Sequence, residues 1–175
     1  MQTTARPWPR FLARHFDLLL FALSIGILLA IIAPSLYDSV PTDDKNKDNL
    51  FSLAIIFLWV PVEAILMSTW GATPGKSVLG IRVLSKNGTK LTFAIALKRS
   101  LSVWRRGVAI GLPLFNLIAE WIAYRRLKKT GSTSWDSDLQ ISVFQEPIST
   151  LRTIIFAILL IGLFLLVVIL VSLAQ

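Results

Sequence analysis

Residues 69–83 read T-W-G-A-T-P-G-K-S-V-L-G-I-R-V, and the rest of the chain is arranged around this stretch. An apolar run from Leu50 to Trp70, long enough to cross a bilayer, leads into it. A short segment, Leu79-Gly80-Ile81-Arg82-Val83, leads out and reads as a strand. The part from Gly71 to Ser77 is close to the phosphate-binding pattern G-x-x-x-x-G-K-[ST], but it is one residue short. A phosphate loop also follows a strand and opens a helix, whereas this one follows an apolar helix and enters a strand. The stretch therefore reads as a tight turn. Pro74 fixes φ, Gly75 lets the chain turn sharply, and Lys76 is expected in the headgroup layer.

Working outward, 54% of the 175 residues are hydrophobic and 16% charged, a balance that points to a bilayer rather than to water. The chain has no Cys, which excludes disulfides, thiolate metal sites and a cysteine nucleophile. Its formal net charge is +8, and the basic residues cluster beside apolar runs. Anionic lipid headgroups are the partner this pattern implies. No motif for nucleic acid accompanies it. No cofactor or metal is expected.

In chain order, Arg6, Arg10 and Arg14 precede a first apolar helix, read as residues 16–36 and retained rather than cleaved as a signal. Pro7 and Pro9 are expected to keep its approach non-helical. Asp17 lies three residues after Arg14 and seven after Arg10, spacings that put the three on one face. They read either as a functional cluster or as an interfacial one. A polar loop, residues 38–49, separates this helix from the second, residues 50–70. The second contains Pro61 and Glu63. An acid inside a span is either functional or bonded to the Arg10/Arg14 cluster. Residues 80–93 carry the β signal, with Asn87-Gly88 as a hairpin turn, and Leu139 to Phe144 is a second β-like run able to pair with it. Between them Leu97, Leu101, Trp104 and Val108 recur at helical spacing opposite Lys98, Arg99, Arg105 and Arg106. That is a basic amphipathic helix with Arg99, Arg105 and Arg106 expected to face lipid headgroups. The apolar segment 107–124 holds Asn116 and Glu120, and Thr153 to Ala174 is an apolar anchor helix.

Loop charge sets the expected topology. Lys and Arg number three in the N-terminal segment, two in residues 38–49, eight in 71–106 and five in 125–152. The N-terminus and residues 71–106 therefore belong in the cytoplasm and the 38–49 loop outside. Segment 107–124 is basic on both flanks. A re-entrant or interfacial hairpin turning near Gly111-Leu112-Pro113 satisfies both flanks and lets the β-like runs meet. A plain third crossing is the alternative. The first places the C-terminus outside, the second inside.

With these residues laid out, the chain resembles the RDD family of bacterial membrane proteins. Arg10, Ala13 and Asp17 match an R-x-x-A-x-x-x-D signature. Thr73, Gly75, Lys76, Gly80, Arg82 and Val83 match T-x-G-K-x-x-x-G-x-R-V. Glu63 suits an acid common before that turn, and Arg99 a basic position in the amphipathic helix. The second signature Asp is Asp136, with Asp138 competing, because the usual His before it is Trp135 here. The resemblance spans about residues 8–145. It divides the chain into a membrane domain, 1–151, and an additional C-terminal helix, 152–175. It implies a mainly α, polytopic protein of the bacterial inner membrane with a small cytoplasmic β-piece. Its activity is expected to be transport of an ion or small solute, cation/proton exchange included.

Transport rests on Asp17, Glu63, Asn116 and Glu120 as ion, proton or pocket residues, and the small number of helices implies a homo-oligomer. The competing reading is a non-transport module that binds anionic lipid or a partner membrane protein. An enzyme is not expected, since His15 stands alone and no catalytic constellation accompanies it.

Overall fold

The structure, a computed structural model, describes residues 6–33, 35, 45–107 and 113–173. Its order is α1 (Pro7–Ile32), α2 (Lys45–Thr69), α3 (Pro74–Val78), β1 (Ile81–Ser85), α4 (Phe93–Gly107), α5 (Pro113–Thr130), α6 (Ser134–Asp138), β2 (Ile141–Gln145) and α7 (Thr150–Leu173). Two helices are long and apolar enough to cross a membrane: Pro7–Ile32, and Thr150–Leu170 within α7. A shorter apolar helix covers Leu53–Thr69.

Helix α1 begins at Pro7, earlier than the prolines led us to expect. Pro7 and Pro9 occupy its first turn, where a backbone N–H has no helical acceptor, so a missing one costs nothing. Helix α2 likewise begins at Lys45, inside the expected polar loop, and runs through Pro61 without interruption. The expected hairpin reduces to a single bridge between Leu84 and Lys90. The partner of β1 is β2, antiparallel, with Val83 opposite Val143 at the centre. The turn expected near Gly111 and most of the 38–49 loop lie outside the described residues.

That central pair marks an internal repetition. Residues 73–83 (T-P-G-K-S-V-L-G-I-R-V) and 133–143 (T-S-W-D-S-D-L-Q-I-S-V) share Thr, Ser, Leu, Ile and Val at an offset of sixty. Their backbones match. Gly71 and Gly131 end the preceding helices at φ 75° and 74°. Thr73 and Thr133 then stand extended before a five-residue helix, at φ −89° and −83°. Gly80 and Gln140 turn left-handed at φ 66° and 54°. The bond from Glu146 N–H to Gly80 O (3.0 Å) is answered by Lys86 N–H to Gln140 O (3.3 Å). An antiparallel pair of equivalent strands has a local two-fold axis between them, and the turns obey it. Each unit is two helices, a turn, a short helix and a strand. Helix α7 follows the second.

Because β1 pairs with β2, the ends of the long helices converge. Helices α2 and α5 each run into a strand, and α4 and α7 start soon after one. The start of α1 joins them, since Arg6 N–H donates to Gln145 Oε1 at 2.7 Å and Gln145 Nε2 donates to Arg6 O at 3.0 Å. The segment 93–130 thus leaves the sheet and returns to it. One apolar cluster under the sheet joins Ala13, Phe16, Leu79, Ile81, Phe156 and Leu163, tying α1, β1 and α7 together. A second joins Ala64, Met67, Val83, Leu91, Ala96 and Ile141, tying α2, both strands and α4. Met67 meets Arg99 and Phe57 meets Trp104, so α4 runs antiparallel along α2.

Candidate functional site

The two turns hold the buried charge. Around the first, Asp17 of α1 accepts the Thr73 hydroxyl and, at 2.6 Å, the Gly75 N–H. Helix α1 can come this close only because residue 75 is Gly. A Cβ there would stand 2.7 Å from Ala13 O and 3.0 Å from Asp17 Oδ1. Lys76, next in the turn, points into the protein rather than out toward headgroups. It is 7% exposed, and its Nζ donates to Glu63 Oε1 at 2.7 Å. Glu63 is one helical turn before Met67, on the face of α2 that meets α4.

Around the second turn the acceptor belongs to the turn itself. Thr133 donates to Asp136 Oδ2 at 2.7 Å, and Asp136 Oδ1 accepts Arg99 Nε at 2.8 Å. Arg99 Nη1 lies 3.8 Å from Glu63 Oε1, and Arg10 Nη1 lies 3.8 Å from Asp136 Oδ2. Charge therefore alternates along Lys76, Glu63, Arg99, Asp136 and Arg10, linking both turns through α2, α4 and α1. Burial opposes the charge on Arg99, but Asp136 and Glu63 outweigh it and hold the guanidinium above its ordinary range.

Arg99 corrects the expectation that it faces lipid. It is 4% exposed, because its side of α4 is the side packed on α2 and α6. Arg105 of that group is exposed, and Arg106 reaches Asp138 at 2.6 Å at the surface. Asp136 is buried while Asp138 is not. Asp17 bonds the turn rather than Arg10 or Arg14, and Glu63 bonds Lys76 and Arg99 rather than the α1 arginines. Glu120 stands 3.6 Å from His15 Nε2 and faces a cavity. Gly80 sits at the end of the first turn, and Arg82 points out from β1. The side chain of Asn116 lies outside the described residues.

The cavity, about 400 Å³, opens between α1, α5, the second turn and the sheet. Its walls are mainly apolar, with Trp8, Phe11, Trp121, Tyr124 and Trp135 among them. Its charged lining is Arg10, Arg14, Lys76, Arg99, Glu120 and Asp136. Sequence reasoning missed the core roles of Lys76, Arg99 and Thr133. The repeated T-x-x-x-S-x-L-x-I-x-V was the available signal, since it aligns Lys76 with Asp136.

The family model described as the RDD family matches residues 4–174. The chain belongs to the RDD family. The match takes in α7, which the motif-based resemblance over residues 8–145 left out. In this RDD chain α7 is also packed into the fold, with the Phe156 ring 5.4 Å from that of Phe16. No curated protein and no solved structure matches the chain. Family membership and the two apolar helices point to a membrane protein.

Proposed function

We propose that this RDD protein is a multi-pass protein of the bacterial inner membrane that binds a small solute in the cavity and carries it across. One observation carries the reading: the cavity lies at the seam of two repeated units. Lys76, Ile81 and Val83 of the first and Thr133, Trp135 and Val143 of the second line it together. Many secondary transporters also hold their solute at the interface of repeats, there near the bilayer midplane and here beside the sheet.

The topology that fits is a cytoplasmic sheet, with the N-terminus beside it, α1 and α2 as a crossing pair and α7 leading away to an external C-terminus. The departure and return of α4 and α5 favour a hairpin over a third crossing. Cation/proton exchange on Asp17 or Glu63 is the weaker form of transport here, because both carboxylates already accept strong donors. The exposed Lys98, Arg105, Arg125 and Arg126 favour, as a second reading, docking on anionic headgroups.

The test is current from sealed proteoliposomes on a solid-supported membrane during stepwise exchange of Na+, K+, phosphate and decanoate. A solute-dependent current that is absent in Arg14→Gln supports a carrier. Silence with every solute, from protein that is folded and inserted, contradicts it.

A further inference from the structure

Resting on the reading of the cavity as a solute site, we propose that its ligand is an amphiphilic monoanion, a carboxylate or phosphate head on an apolar body. Four cations line the cavity, Arg10, Arg14, Lys76 and Arg99, against two acids, Glu120 and Asp136. Glu63, just behind the wall, is engaged by Lys76 and Arg99. Glu120 has His15 at 3.6 Å, outside the lining. Glu63 counts because it pairs with two of the lining cations, whereas Asp17 is taken up by Thr73 and Gly75 outside the lining. One positive charge is therefore left in excess, in a space with apolar walls where unbalanced charge is costly.

Hydrogen bonding locates that excess. Lys76 and Arg99 are committed to carboxylates at 2.7 Å and 2.8 Å. Arg10 only approaches Asp136, at 3.8 Å, and among the described residues its buried Nε has no partner. Among the described residues no carboxylate lies within 4.0 Å of Arg14. Its guanidinium instead stands 5.8 Å over the Trp135 ring. Two guanidinium groups one helical turn apart, with donors to spare, suit the planar oxygens of a carboxylate or phosphate. A small inorganic anion would meet those groups but leave the aromatic walls unused, and about 400 Å³ admits a much larger body. The head would lie against Arg10 and Arg14, and the body along the aromatic wall that Trp8, Tyr124 and Trp121 form by packing on one another.

Such a molecule could be an anionic lipid from the bilayer or a soluble organic acid, and the experiment separates the two. The full chain is placed in phosphatidylcholine nanodiscs and equilibrium binding of radiolabelled decanoate and decyltrimethylammonium is measured, with empty discs subtracted. Acetate is the tail-free control. We expect saturable decanoate binding, weak acetate competition, a loss of about tenfold to a hundredfold in Arg14→Gln, and tighter binding in Glu120→Gln. In phosphatidylglycerol discs, blocked decanoate binding identifies the lipid as the source, and unblocked binding a soluble acid. Preference for decyltrimethylammonium, lost in Glu120→Gln, overturns the anion assignment and leaves the solute site standing. No saturable binding of either probe by folded protein overturns both.

Discussion

The two turns share one backbone and differ in what they hold. The first is closed. Gly75 lets α1 lie on it, and Asp17, borrowed from α1, satisfies Thr73. The second is open. Trp135 stands where Gly75 would, so no helix can approach as closely. Asp136, supplied by the turn, satisfies Thr133, and the space left over is part of the cavity. At the same position along each turn one carries Lys76 and the other Asp136, opposite charges joined through Glu63 and Arg99. A duplicated turn thus serves once as a clamp on a helix and once as a wall of a site. The difference is made by one residue's size and one residue's charge.

Breaking the link between the turns has the largest expected effect. Arg99→Met leaves Asp136 and Glu63 short of a cation in a buried place, which costs about 3–5 kcal/mol. The unfolding midpoint in detergent should fall far below wild type, and a small shift would mean that the chain of charges does not hold the turns. Next is the clamp. Gly75→Ala forces a methyl against a backbone carbonyl that cannot yield, at about 1–3 kcal/mol. Gly131→Ala meets nothing within 4 Å and should cost less, despite its φ of 74°. An unchanged unfolding midpoint in Gly75→Ala would mean that α1 does not clamp the first turn. The smallest effect is at the rim. Asp138→Asn breaks an exposed pair with Arg106 and should change stability by about 0–1 kcal/mol.

How much of this was legible follows from where each signal comes from. The turn at Thr73-Pro74-Gly75-Lys76 is local chemistry, and it stood out. The meeting of the two β-like runs was readable in their own patterns, residues 80–93 and Leu139 to Phe144. The start of α1 does not follow from prolines read as helix breakers, because in the first turn a missing N–H costs nothing. The place of Arg99 is not legible, because a basic stripe on an amphipathic helix looks alike whether it meets headgroups or buried carboxylates. Only the helix's neighbours decide, and these come from distant sequence. The alignment of Lys76 with Asp136 was readable at an offset of sixty, but the opposite charges hid it. That Arg10 and Arg14 face a cavity depends on how far α1 and α5 stand apart, which no local pattern encodes.

Arg99 joins the turns by serving Glu63 and Asp136 at once. A double-mutant cycle tests it: denaturant unfolding of Glu63→Gln, Asp136→Asn and the double variant in mixed micelles. With either acid gone Arg99 keeps the other, and with both gone its charge is buried alone. The double loss should therefore exceed the sum of the single losses by at least about 1 kcal/mol. Additive losses, within about 0.5 kcal/mol, would contradict the account.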